Sequence, residues 1–237
     1  RLIESGLEDI SASRSRIRWG VPFPGDEEHT VYVWFDALAN YITALGYPDS
    51  ELFHRMWPAD LHIIGKDITR FHCVYWPAML MAADVPVPKS VWGHGFINIG
   101  GAKLSKSSGT KLDLLELIDR HGADALRYFL MREVPWDGDR NFASVANFIE
   151  QFDRRYTTDL ANDLGNLLNR VISMVSKYRG GKIPTASGGV LANQMTTTLS
   201  EYREAMGDYR LHKGLAAAFD VVRVANRFVD QTKPWNL

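Results

Sequence analysis

The chain has little cysteine, no long apolar run and almost no net charge. Its single cysteine, Cys73, leaves no partner for an intrachain disulfide and no cluster for a structural zinc. A reducing compartment, the cytoplasm, is the expected setting. No apolar run reaches the ~18 residues of a spanning helix, so no membrane role is expected. The net charge of −1 excludes a general basic field for non-specific RNA binding and leaves room only for a local patch. At 237 residues with 46% hydrophobic content, the chain supports one or two domains with a sizeable core. It opens Arg1-Leu2-Ile3-Glu4, without initiator Met or signal peptide, and reads as a piece of something longer. It contains no internal repeat and no low-complexity tract.

The first hundred residues alternate between short apolar strands and helices. Residues 31–35 read as a buried strand and 37–46 as a helix. Residues 61–64 read as a strand ending at Gly65, then a helix over 68–83 bent near Pro77, then a strand over 91–97. This alternation predicts an α/β fold with a parallel sheet whose ligands lie beyond the carboxyl ends of the strands. After 111 the spacing becomes helical. Two short helices are expected on either side of Gly122, then a polar loop or short strand over 135–143. A long amphipathic helix is expected over 144–178, a Gly-rich connection over 179–189, and two helices over 191–208 and 212–232. Residues 151–237 read as an antiparallel helical bundle, incomplete at its end.

Three constellations carry chemistry. The first is Lys103-Leu104-Ser105-Lys106-Ser107, flanked by Gly100-Gly101-Ala102 and Ser108-Gly109-Thr110. Two ammonium groups in a loop of small residues can close over a polyphosphate and meet charge that grows in a transition state. The bland alternative is a solvated surface loop. The second is Gly65-Lys66-Asp67-Ile68 with Phe71-His72. Gly65 permits close approach of a ligand to the backbone. Asp67 is either an N-cap or a ligand for ribose hydroxyls or an ammonium group. His72 is either a ligand contact or a packed core residue. The third is Trp34, Ala37 and Tyr41, which form either an aromatic core or the wall of a small apolar pocket.

The string at 103–107 resembles the Lys-Met-Ser-Lys-Ser signature of class I aminoacyl-tRNA synthetases, with Leu104 in place of Met. Together with Val31-Tyr32-Val33-Trp34-Phe35-Asp36-Ala37, His62-Ile63-Ile64-Gly65-Lys66-Asp67-Ile68 and Trp76-Pro77-Ala78-Met79-Leu80, it resembles the methionyl-tRNA synthetase family over essentially the whole chain. The resemblance implies the second half of a Rossmann-like catalytic domain over 1–110. A connecting, stem-contact fold over 111–150 and an all-α anticodon-binding domain over 151–237 would follow. It implies that Lys106, supported by Lys103, stabilises the pyrophosphate leaving group. Gly65, Asp67, His94, Ile97, Lys103, Ser105 and Lys106 would bind ATP. Trp34, Ala37, Tyr41, Ile68 and His72 would line a methionine pocket, since a thioether packs well on aromatic rings. Asn166, Arg170 and Trp235 would read the anticodon of tRNA(Met), Asn166 and Arg170 sharing a helix face at i and i+4.

The implied activity is methionine–tRNA ligation with ATP and Mg²⁺; tRNA(Met) would bind through its anticodon and acceptor stem. The family's His-x-Gly-His signature is absent, and His94-Gly95 does not supply it because it immediately precedes the lysine loop. The chain therefore reads as a C-terminal portion, inactive alone; any zinc would belong to the missing part. Nothing in the sequence fixes an oligomeric state. Two other readings stay open: a sister class I synthetase for Val, Ile, Leu or Cys, and a non-catalytic module that binds only the anticodon.

Overall fold

The first three strands are β1 (Ser13–Arg14), β2 (Pro22–Phe23) and β3 (Asp26–Val31). They form an antiparallel sheet in the order β1–β3–β2. The structure, a computed structural model, describes residues 3–4, 6–104, 112–183, 185 and 189–236. The strand expected at 31–35 is not found. β3 ends at Val31, and helix α1 (Val33–Thr43) takes the rest of the run. The amides of Phe35 and Asp36 donate to the Tyr32 carbonyl at 2.9 and 3.3 Å and close the first turn. The helical period prevails because Trp34, Leu38, Tyr41 and Ile42 share one face, with Leu38 and Ile42 buried, while Val33 is left 44% exposed.

Two compact units are present, residues 1–94 and 95–237. In the first, α2 (Glu51–Met56) starts at Ser50, whose hydroxyl accepts the Leu52 amide at 3.1 Å. β4 (His62–Gly65) follows. The helix expected over 68–83 is three pieces: a 3₁₀ turn Lys66–Ile68, a π-helical turn Phe71–Tyr75, and α3 (Trp76–Ala82). Pro77 lies in the first turn of α3, where a missing N–H is harmless, and the irregular turn falls just before it. β5 (Val91–His94) pairs in parallel with β4, Gly65 opposite His94. Leu38, Phe53, Trp57, Trp76, Leu80 and Val85 form the core of this unit. Each is worth roughly 1.5–3 kcal/mol of burial.

The strand expected at 91–97 is also divided. After β5, β6 (Ile97–Ile99) belongs to the second unit and to another sheet. Gly95 lies between them. A Cβ there would sit 1.8 Å from the Gly138 carbonyl oxygen, so only glycine lets the two backbones pass. β6 turns into β7 (Ala102–Lys103) through Gly100 and Gly101, both with positive φ (61° and 81°), as a two-residue hairpin requires.

Helices α4 (Leu114–His121) and α5 (Ala123–Glu133) flank Gly122, as expected. Asp113 caps α4, its Oδ1 accepting the amides of Leu115 and Glu116 at 2.9 and 3.1 Å. The segment at 135–143 contains β8 (Arg140–Phe142), parallel to β6. The long helix over 144–178 is found as one helical run with a change of winding. It comprises α6 (Val145–Arg155), a π-helical segment Tyr156–Gly165, and α7 (Asn166–Arg179), stopped by Gly180 in the left-handed region. Helices α8 (Val190–Gly207) and α9 (Leu211–Thr232) fall within two residues of their expected bounds. Phe129, Phe142, Phe148 and Phe152 are at most 1% exposed and pack edge to face or tilted, at 4.8–6.1 Å between centroids.

Candidate functional site

In the first unit, α1, the 3₁₀ turn and the π turn bring four of the five expected pocket residues together, Trp34, Tyr41, Ile68 and His72. Trp34 stacks on Phe71, with ring centroids 3.9 Å apart and planes 12° from parallel. Its edge relation to His72 is 6.5 Å. His72 is 2% exposed. Its Nδ1 lies 3.0 Å from the Ile68 carbonyl oxygen, which can only accept, so Nδ1 carries the proton. In the neutral ring, Nε2 then accepts the Tyr41 O–H, 3.0 Å away. One relay therefore joins Tyr41, His72 and the Ile68 backbone. Ala37 lies on α1 between Trp34 and Tyr41, three and four residues from them, and is exposed. Burial pushes the Tyr41 hydroxyl pKa up, so it remains a proton donor at neutral pH.

His62 also belongs to this cluster. Its ring lies 4.2 Å from that of Tyr41, and it is 5% exposed. Burial, and then the neighbouring His72, push its pKa below 6.5. The unfolded chain takes up a proton near that value, whereas folded His62 resists it, so protons favour unfolding. Stability contributed by uncharged His62 is present above pH 6.5 and lost as pH falls through its lowered value. The thermal midpoint is expected to drop between neutral and mildly acidic pH. His62→Phe should flatten that slope; an unchanged slope in the variant would count against His62 as its source.

The nucleotide candidates lie in both units. In the first, Gly65 and His94 are register partners at the carboxyl ends of the parallel pair β4–β5, and Asp67 follows in the 3₁₀ turn. This is the end of a parallel sheet where ligands bind. In the second, Ile97 opens β6 and Lys103 closes the hairpin, its Nζ 3.6 Å above the Phe96 ring. Leu104 packs against the phenylalanine core, and its amide donates to the Ile97 carbonyl at 2.9 Å. Ser105 and Lys106 lie outside the described residues.

Two of the three anticodon candidates, Arg170 and Trp235, meet in the second unit. Asn166 is exposed on the first turn of α7, one turn before Arg170. The Arg170 guanidinium lies 5.7 Å from the centre of the Trp235 ring, which is 45% exposed. It also donates to Asp230 at 2.6 Å. An aromatic face beside a held guanidinium can stack an unpaired base and contact its edge. Asp230 was not legible in the sequence: its partner is 60 residues away.

Among the described residues, no helix is long and apolar enough to cross a membrane, and no group of three or more His, Cys, Asp or Glu could hold a metal ion.

The model of the family "tRNA synthetases class I (M)" matches residues 1–172, and the chain belongs to that family. It is 49% identical over 241 residues to the methionine–tRNA ligase of Brucella suis biovar 1, covering 99% of this chain and 46% of that protein. It is 47% identical over 243 residues to that of Halalkalibacterium halodurans, covering 99% of this chain and 36% of that protein. Mycobacterium tuberculosis methionyl-tRNA synthetase bound by methionyl-adenylate superposes with a TM-score of 0.87 at 42% identity, covering 99% of this chain and 46% of that one. The chain thus spans less than half the length of these relatives.

Proposed function

We propose that this chain is the second half of the catalytic domain and the anticodon-reading domain of a methionine–tRNA ligase. Residues 1–110 would complete a Rossmann-like catalytic domain, 111–150 the connecting fold against the acceptor stem, and 151–237 the helical anticodon-binding domain. The observation that carries the amino-acid assignment is the relay from Tyr41 through His72 to the Ile68 carbonyl beside the Trp34–Phe71 stack. It consumes the polar hydrogens of two pocket residues internally and leaves aromatic faces for a thioether. Trp34, Ala37, Tyr41, Ile68 and His72 line that pocket in this reading.

In the reaction, a methionine carboxylate oxygen attacks the α-phosphorus of ATP. The bond from that phosphorus to the bridging oxygen breaks, and pyrophosphate leaves with the electron pair. The tRNA 3′ hydroxyl then attacks the methionyl carbonyl and AMP leaves. Gly65, Asp67, His94 and Ile97 hold the adenosine part, and Ser105 sits with the lysines at the phosphates. Lys106, supported by Lys103, meets the charge that develops on pyrophosphate. Mg²⁺, when bound, would be held chiefly by the ATP phosphates and would offset part of their charge. Asn166, Arg170 and Trp235 bind the anticodon of tRNA(Met). The reaction serves translation in the cytoplasm.

The test is amino-acid-dependent ATP–pyrophosphate exchange over all twenty amino acids, on this chain alone and on the full-length protein. Exchange with methionine only, and only in the full-length protein, is expected, because ATP must be held from both halves for in-line attack. Exchange with Val, Ile, Leu or Cys would assign a sister synthetase. No exchange in either form, with tRNA(Met) binding retained, would leave an anticodon-binding module.

A further inference from the structure

His62 carries none of the roles assigned above, yet it touches the residue on which the pocket depends. It lies on β4, and its Nε2 has no hydrogen-bond partner among the described residues. Among the described residues no ion pair holds it either, so what it contributes is the face and size of its ring. That face meets the Tyr41 ring at 4.2 Å with a tilt of 46°, closer than Tyr41 lies to any other aromatic neighbour described. His72, the hydrogen-bond partner of Tyr41, is 6.1 Å from His62, and Trp57 packs on His62 at 6.0 Å. Tyr41 is thus gripped at two points, its hydroxyl on His72 and its ring on His62. A phenol has two soft side-chain torsions. The hydrogen bond alone fixes where the oxygen is; the ring contact fixes the path by which the side chain reaches it.

We propose that His62 is a positioning residue for the side-chain pocket: its ring wedges against Tyr41 and keeps the Tyr41 hydroxyl on His72, so that affinity for the methionine side chain depends on it. The proposal rests on the methionine-pocket reading given above. It assigns to a buried β4 residue a part in specificity that acts through Tyr41. The uncharged state of His62 at neutral pH suits that contact, since a protonated imidazole buried among these rings would have to be solvated or expelled.

The experiment uses the full-length protein with His62→Ala, His62→Leu and His62→Phe, and measures methionine-dependent ATP–pyrophosphate exchange. Loss of one such ring contact corresponds to a rise in the KM for methionine of about threefold to tenfold. That rise is expected in His62→Ala and His62→Leu, with the KM for ATP unchanged. His62→Phe, which restores a flat ring, should recover most of the methionine affinity. Leucine fills the space without a ring face, so it decides alone if the alanine variant does not fold. An unchanged KM for methionine in His62→Leu overturns the proposal. Equal increases in both KM values, or a phenylalanine variant as poor as leucine, also overturn it, because they mark general packing damage. Tyr41→Phe and Trp34→Ala run in parallel. If neither alters the KM for methionine, the pocket reading itself has failed; if they do and His62→Leu does not, only the role of His62 has.

Discussion

Lys106→Ala in the full-length protein is expected to slow methionyl-adenylate formation about 10²–10³-fold, the usual cost of removing one preorganised donor from a developing charge. As the bond to the α-phosphorus breaks, negative charge moves onto pyrophosphate, and a compact ammonium on a flexible stem can follow it. The effect should fall on the chemical step, with tRNA affinity nearly unchanged, because the anticodon contacts are assigned to Asn166, Arg170 and Trp235. Pyrophosphate exchange and equilibrium tRNA binding, measured side by side, separate the two. Equal losses in both would remove the catalytic role proposed for Lys106. Lys103→Ala should cost less, since Lys103 is already engaged with the Phe96 ring.

The second large effect concerns stability. Arg155→Ala is expected to destabilise the second unit by about 2–4 kcal/mol, somewhat below the cost of a wholly unpaired buried charge, because it strips the shared cation from two buried carboxylates that keep one other partner each. Arg155 bonds Glu133 through Nε and reaches Asp159 at 3.3 Å through Nη1. Those acidic side chains are 9% and 2% exposed. Burial works against the charge on Arg155, but Glu133 and Asp159 outweigh it and hold its pKa above the ordinary value. Asp159 also accepts the Tyr128 hydroxyl at 2.7 Å, and Glu133 accepts Arg140 at 3.0 Å. The network therefore joins α5, β8, α6 and the π-helical segment. Urea unfolding measures the loss; a change under ~1 kcal/mol, the range of an exposed ion pair, would show that solvent reaches these groups.

The helical half was readable in advance because its signals are local. The apolar spacing of α8 and α9 runs unbroken for 18 and 22 residues. Gly122 and Gly180 stop α4 and α7 in conformations that glycine favours. The errors arose where local signals are weak or the cause is distant. Val31–Phe35 is a short apolar run, and such runs suit a strand or a buried helix equally. α1 also starts at Tyr32, which offers no side-chain cap. The break after His94 depends on Gly138, far along the chain. α2, a single short helix, was not anticipated, although Ser50 marks its start. The candidate site was legible mainly through family resemblance. Spacing put Trp34, Ala37 and Tyr41 on one helix, but nothing local said that His72 would turn toward Tyr41 or that His62 would lie beneath both.

The winding of the helical run from Val145 to Arg179 has a directional meaning. Its first part is anchored by Phe148 and Phe152 in the core; its last part carries Asn166 and Arg170. Between them lie the ten residues of the π-helical segment Tyr156–Gly165. Each residue of an α-helix advances the bearing of its side chain by about 100°, and a wider turn advances it less. That segment therefore acts as a phase adjuster between a fixed base and a pointing tip. Adding or deleting one residue within it would swing Arg170 around the axis by somewhat less than the ~100° of an α-helical residue, away from Asp230 and Trp235, while leaving the anchor untouched.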